Sequence, residues 1–159
     1  MAVILDGKET SEKVMEELAA RVEELKGKGV TPTLGLVLTG TDKYSRRYVR
    51  MKANRAEKLG MEARFHHLEE TTTEEVVKLV EGLCADPEVH GVLVQLPVAE
   101  GLDEGAIVEA VTPEKDVDGI SPSTLGKILL GEESFLPAGV DAIMELFRRY
   151  DLDPEGKHW

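Results

Sequence analysis

Three short segments of this sequence hold residues whose types and spacing could do chemistry: Gly40 to Lys52, Gln95-Leu96-Pro97, and Lys115-Asp116-Val117-Asp118-Gly119. In the first, at about 100° per residue, Ser45, Tyr48, Val49, Lys52, Ala56 and Leu59 fall on one stripe of a helix. The stripe begins polar and ends apolar, as expected of a helix whose first turns line a pocket and whose last turns pack in a core. Lys43, Arg46, Arg47 and Arg50 point elsewhere, which leaves Lys52 as the basic residue turned inward with Tyr48. Desolvation disfavours an ammonium, so a lysine in low-dielectric surroundings has a lowered pKa and becomes usable as a proton carrier near neutrality. The same position also suits a lysine that snorkels out from the helix edge.

Gln95 closes a wholly apolar run, so its amide must either find backbone partners or face a cavity. The pair Asp116-x-Asp118 offers two carboxylates, too few for the roughly six to eight oxygens that calcium takes, so no metal site is expected. Near Gly119, three residues before it, Asp116 reads as a turn-forming side chain. The neighbours His66 and His67 face opposite sides of a strand and cannot share a metal, and Cys84, late in a helix, reads as packing. Lys43, Arg46, Arg47, Arg50, Lys52, Arg55 and Lys58 form a positive island that can attract an anionic small molecule, or can be a solvated helix face.

The elements that must position these groups are legible from periodicity and punctuation. Val14, Leu18, Val22 and Leu25 recur at helical spacing until Gly27 and Gly29. Thr33 to Leu38 reads as a strand buried on both faces, Lys43 to Leu59 as a helix ended by Gly60, and Met61 to Leu68 as a strand. Thr72-x-x-Glu75 is a capping box opening a helix that ends near Asp86-Pro87, and Gly91 to Pro97 is a further strand. Helices are expected at Leu102 to Val111, Ser123 to Leu130 and Val140 to Tyr150, with Met1 to Leu5 as a first strand. Strands alternating with helices predict a mostly parallel sheet covered on both faces, a three-layer α/β/α sandwich whose ligands bind beyond the strands' carboxyl ends.

Composition bounds the function. The chain has 159 residues, one domain or slightly more, and 42% hydrophobic residues are enough for a real core. With 19 Lys+Arg against 31 Asp+Glu the formal charge is −12, and seven aromatics leave little for base stacking, so nucleic-acid binding is disfavoured. A single cysteine excludes an internal disulfide, and no apolar run approaches the roughly 18 residues of a membrane span. No basic n-region precedes the apolar start, and a cytoplasmic location is the expectation.

Taken together, Tyr48-Val-Arg-Met-Lys52, Gly91-Val-Leu-Val-Gln-Leu-Pro97 and Pro113-Glu-Lys-Asp-Val-Asp-Gly119 resemble the bifunctional methylenetetrahydrofolate dehydrogenase/methenyltetrahydrofolate cyclohydrolase family. Leu5-Asp6-Gly7-Lys8 and the Gly40-x4-Ser45-x2-Tyr48 spacing agree, so the resemblance covers nearly the whole chain. It implies an amino-acid-dehydrogenase-like N-terminal fold, folate one-carbon chemistry and a homodimer. It makes Lys52 the acid/base, lays Tyr48 against the aminobenzoyl ring and has Gln95 tune Lys52. Asp118 would hydrogen-bond the pterin, and Val94 and Leu96 line the pocket. Ser45, Val49, Arg50 and Met51 complete the implied substrate contacts. The basic island offers charge for the folate's glutamate carboxylates.

The family carries Pro-Cys-Thr-Pro-x-Gly where this chain, aligned without a gap, has Pro137-Ala-Gly-Val-Asp-Ala142, beside the expected meeting place of nicotinamide and folate. It also places Pro-Ala where Lys43-Tyr44 stand. Gly156-Lys157-His158 resembles the run into the family's NADP-binding Rossmann domain, and the sequence contains no Gly-x-Gly-x-x-Gly loop. The expected organisation is therefore a folate-binding catalytic domain over residues 1–150, with residues 151–159 opening a linker or the first strand of an NADP domain. NADP would be held by that domain and not by the residues here.

Overall fold

Residues 4–157 are described by the computed structural model. In chain order they form α1 (Gly7–Gly27), β1 (Thr33–Thr39), α2 (Lys43–Lys58), β2 (Glu62–Leu68), α3 (Thr73–Ala85), β3 (Gly91–Val94), α4 (Glu104–Glu109), α5 (Pro122–Leu130) and α6 (Ala138–Arg149). The strands make one sheet in the order β2-β1-β3, parallel throughout, with Leu36 level with Phe65 and Leu93. β1 is the centre because its run Thr-Leu-Gly-Leu-Val-Leu-Thr can be buried on both faces, and all but Leu34 are buried. Beyond β3, Val92 bridges in parallel to Asp116, and its N–H donates to the Lys115 carbonyl at 2.7 Å. A Cβ on Gly91 would lie 2.4 Å from Val117 Cγ1, so the glycine is what lets this edge segment come so close.

Strand alternation divides the core in two. Leu36, Leu38 and Leu93 point to one face and pack with Val49 of α2 and Val117. Val37, Val92 and Val94 point to the other, against Val76, Val80 and Leu83 of α3 and Ile107 of α4. These are the three layers expected from sequence. α1 and α6 pack on each other, joined by Arg149, whose guanidinium donates to both carboxylate oxygens of Glu17 at 2.8 and 2.7 Å.

The differences from expectation are local. Of the supposed first strand, residues 1–3 lie outside the described residues, and Ile4 and Leu5 belong to no strand. β3 ends at Val94, although Gln95 N–H still donates to the Val37 carbonyl at 2.8 Å. The helix read as Leu102 to Val111 is only Glu104–Glu109, because the Asp103 side chain caps it by accepting from Ala106 N–H. α6 starts at Ala138, two residues early, behind Pro137 at its N-cap.

Candidate functional site

The carboxyl ends of β1 and β3 and the edge segment through Asp116 converge on the amino-terminal half of α2. Asp42 fixes where α2 begins by accepting the Ser45 N–H at 2.6 Å. The Ser45 N–H, then its hydroxyl, hold that carboxyl below the usual range, as suits an acid at a helix N-terminus. His67, at the end of β2, steadies the approach. Its Nε2 lies 2.6 Å from the Gly40 carbonyl, and a carbonyl can only accept, so Nε2 carries the proton and Nδ1 accepts from Arg46 at 3.1 Å.

On this scaffold Lys52 Nζ lies 3.8 Å from Asp118 Oδ2 and 5.3 Å from the centre of the Tyr48 ring. The ammonium therefore has a carboxylate and an aromatic face as neighbours. It is not sealed in: the Lys52 and Asp118 side chains are 27% and 26% exposed, and Tyr48 is 53% exposed. Gln95 donates from Nε2 to its neighbour's carbonyl, Leu96 O, at 2.7 Å, while its Oε1 is buried with no partner among the described residues. Since Leu93 faces α2, alternation turns Gln95 to the α2 side as well. A buried acceptor left open is costly, and it marks a place for a donor.

Asp118 owes its position to its neighbours. Asp116 is buried and accepts from Gly119 N–H at 3.0 Å and Ser121 N–H at 2.8 Å, the turn role expected of it. Lys115 reaches back across the molecule, donating to the Asp86 carbonyl at 2.6 Å and the Leu83 carbonyl at 3.5 Å, where α3 ends. The Asp118 carbonyl accepts Ala138 N–H at 3.2 Å, so the segment opening α6 rests directly on the site loop. Gly119, at φ +65°, is needed there, because a Cβ would stand 2.6 Å from the Leu136 backbone.

Lys52, Tyr48 and Asp118 are brought together, with Gln95 on the same side of the sheet. Ser45 sits half-buried in the first turn of α2. Val49 is fully buried among Leu36, Leu38 and Leu93, so it is packing beneath the site. Val94 and Leu96 pack on the α3 side, away from Lys52, and Arg50 and Met51 lie on the outward face of α2. Lys115 and His67 were not singled out by sequence as positioning groups; their partners are 29 and 27 residues away, and no local spacing signals them.

The parallel α/β sheet thus carries a lysine, a carboxylate and an aromatic ring at its carboxyl edge, the place where such folds take their ligands. Residues 5–118 match the model described as tetrahydrofolate dehydrogenase/cyclohydrolase, catalytic domain, and the chain belongs to that family. It is 45% identical over 157 residues to the bifunctional protein FolD of Bacillus subtilis and 46% to that of Bacillus pumilus. Each alignment covers 98% of this chain and 56% of the relative, so the chain spans about half the length of the curated relatives it matches. Among solved structures, the Campylobacter jejuni FolD methylenetetrahydrofolate dehydrogenase/cyclohydrolase superposes with a TM-score of 0.94 at 39% identity, covering 98% of this chain and 56% of that one. The Trypanosoma brucei enzyme, solved with NADP and an inhibitor, gives 0.89 at 30%, covering 98% and 54%.

Proposed function

We propose that this chain supplies the folate site of a methylenetetrahydrofolate dehydrogenase/methenyltetrahydrofolate cyclohydrolase, with Lys52 as its proton carrier. The observation that carries this reading is Lys52 Nζ held between Asp118 and the Tyr48 ring at the sheet's carboxyl edge. In the hydrolytic step, water adds to the methenyl carbon and the neutral amine of Lys52 takes its proton. The ammonium then returns that proton to the ring nitrogen that leaves. The carbon–nitrogen bond breaks as the adduct's hydroxyl gives its own proton to solvent and becomes the formyl carbonyl, and formyltetrahydrofolate results. The open Oε1 of Gln95 offers the ammonium an acceptor. Tyr48 offers its ring to the aminobenzoyl group, and Asp118 accepts from the pterin's N–H groups. In doing so Asp118 gives up its pairing with Lys52, so substrate arrival would remove the ammonium's counter-charge as the proton must begin to move.

The dehydrogenase step passes a hydride to a nicotinamide nucleotide, NADP in this reading. No cradle for its phosphates is built from the described residues, and the glycines with positive φ sit in separate turns. The nucleotide's site is accordingly assigned to a part of the relatives that these 159 residues do not cover. The expected setting is the cytosol, and the exposed Leu129, Leu130, Val140 and Ile143 support a homodimer.

The test is methenyltetrahydrofolate hydrolysis by this chain without nucleotide, measured above the spontaneous rate. Lys52→Met keeps much of the stem and loses the amine. Turnover should fall about a hundred- to ten-thousand-fold with folding unchanged. Turnover equal to the unaltered chain's would remove Lys52 from the chemistry. Folate binding with no turnover in either chain would instead favour a non-catalytic binding module, a reading for which the contact of Ala138 on Asp118 gives a reason.

A further inference from the structure

Tyr44, Tyr48 and Lys52 stand four residues apart on α2, in a row whose members are neighbours across successive turns. Four residues at 100° each carry the row about 40° round the helix at every step. Exposure falls as the row turns, from 84% at Tyr44 through 53% at Tyr48 to 27% for the Lys52 side chain. The row thus descends from open solvent to the carboxyl edge of the sheet, where Lys52 meets Asp118.

The outer end of the row has no structural task. One exposed apolar side chain is ordinary on a protein surface. In a chain with seven aromatic residues, however, two of the three tyrosines occupy successive turns of this one row. The third, Tyr150, is engaged, since its hydroxyl accepts the Asp6 N–H at 2.9 Å. The Tyr44 hydroxyl makes no hydrogen bond among the described residues, and its ring joins neither the core beneath α2 nor the groove along the outward face of that helix. Tyr44 is also one of the two residues by which the start of α2 departs from the family pattern, so the roles implied by the resemblance do not reach it.

Helix side chains lean toward the amino end, as Lys52 shows by carrying its ammonium back over the Tyr48 ring. The Tyr44 ring stands one step further out, at the lip of the site. Each step rises about 6 Å, roughly the length of a para-substituted benzene ring with its two substituent atoms.

We propose that Tyr44 is a further substrate-contacting residue, which makes the site prefer ligands that end in an aromatic acyl group. The inference rests on the folate reading, in which the reacting carbon lies at Lys52 and the aminobenzoyl ring at Tyr48. One step along the row from that ring, the substrate presents the benzoyl carbonyl, which can only accept. The phenol O–H of Tyr44 donates to it, and the Tyr44 ring packs on the outer edge of the substrate's ring. A tyrosine suits such a lip because it offers a large contact area with two side-chain torsions to fix.

The experiment measures the affinity of the 159-residue chain for three compounds. Tetrahydrofolate is the complete ligand, tetrahydropteroate ends at the benzoyl carboxyl and lacks the glutamate, and 6-methyltetrahydropterin lacks both the ring and the acyl group. Tyr44 is on the surface, so Tyr44→Ala and Tyr44→Phe should fold as the unaltered chain does, which circular dichroism checks. Tyr44→Ala should bind tetrahydrofolate and tetrahydropteroate about tenfold more weakly. Tyr44→Phe keeps the ring and loses the donor, and should bind them about threefold more weakly. Both variants should bind the pterin with unaltered affinity. Undiminished binding of tetrahydrofolate by Tyr44→Ala would overturn the inference and leave the folate reading standing. An equal loss for the pterin, or a loss confined to the glutamate-bearing compound, would do the same. No binding of tetrahydrofolate by the unaltered chain would sink the folate reading and the inference with it.

Discussion

Asp116 and Asp118 stand two residues apart in one loop, and their surroundings give them opposite work. Asp118 keeps a partly exposed carboxylate toward Lys52, available to a ligand. Asp116 is enclosed. Burial alone would raise its pKa, but the Ser121 N–H, the Thr124 and Ser121 hydroxyls and the Ile120 N–H outweigh it and hold the carboxyl below its usual value of 3.8. A folded pKa below the unfolded one stabilises the protein fully above the unfolded value and is lost as pH falls through the folded one. Thermal unfolding followed from pH 7 down to about 2 should therefore show stability declining below about pH 4. Asp116→Ala, which orphans the Gly119 and Ser121 N–H groups, should cost about 1–3 kcal/mol at neutral pH and flatten that decline. An unaltered acid limb in the variant would mean that other carboxyls govern it. The turn role of Asp116 was legible from the glycine three residues after it. The nearness of Lys52 and Tyr48 was legible from helical spacing, because both effects are local, while Tyr48 stays 53% exposed and is less inward than that spacing implied. Spacing could not tell that Val49 on the same stripe is fully buried, since the stripe gives a direction and not a depth.

At the scale of elements, boundaries were legible wherever a side chain or a glycine makes them. Thr72 and Glu75 cap each other as the capping box requires, and α2 ends just before Leu59-Gly60. They were misjudged where apolar spacing ran past the real cap, as at Asp103, or where proline opened the helix early, as at Pro137. What could not be read at all is how one element holds another. Lys115 is the instance: its ammonium closes the carbonyl end of α3, a favourable place for a cation, and so fixes the loop that carries Asp118. Lys115→Met should raise KM several-fold in methenyltetrahydrofolate hydrolysis with kcat nearly kept, since the lysine touches the loop and no reacting group. A fall in kcat with KM unchanged would assign Lys115 to the chemistry instead.

Over the whole molecule, the two ends of the described chain are fastened to each other. Asp6 N–H donates to the Tyr150 hydroxyl at 2.9 Å, across 144 residues, and Arg149 grips Glu17 with two hydrogen bonds. α6 otherwise buries no residue completely, so this pair is a main tie between it and α1. Arg149→Ala should speed amide hydrogen exchange throughout α6 while leaving β1 protected, because β1 is held by both neighbours and covered on both faces. Equal loosening of β1 would show that α6 and the sheet open as one unit. The sheet order has its own consequence for a chain made from its amino end. β1 is the centre of the sheet and the first of its described strands to be synthesised, yet its partners begin only at Glu62 and Gly91. At about 5–20 residues per second, the 52 residues from Thr39 to Gly91 take roughly 3 to 10 s. For that interval on the ribosome, an apolar strand built to be covered has both edges open until β2 is made and one open after it, and protecting them falls to whatever meets the nascent chain.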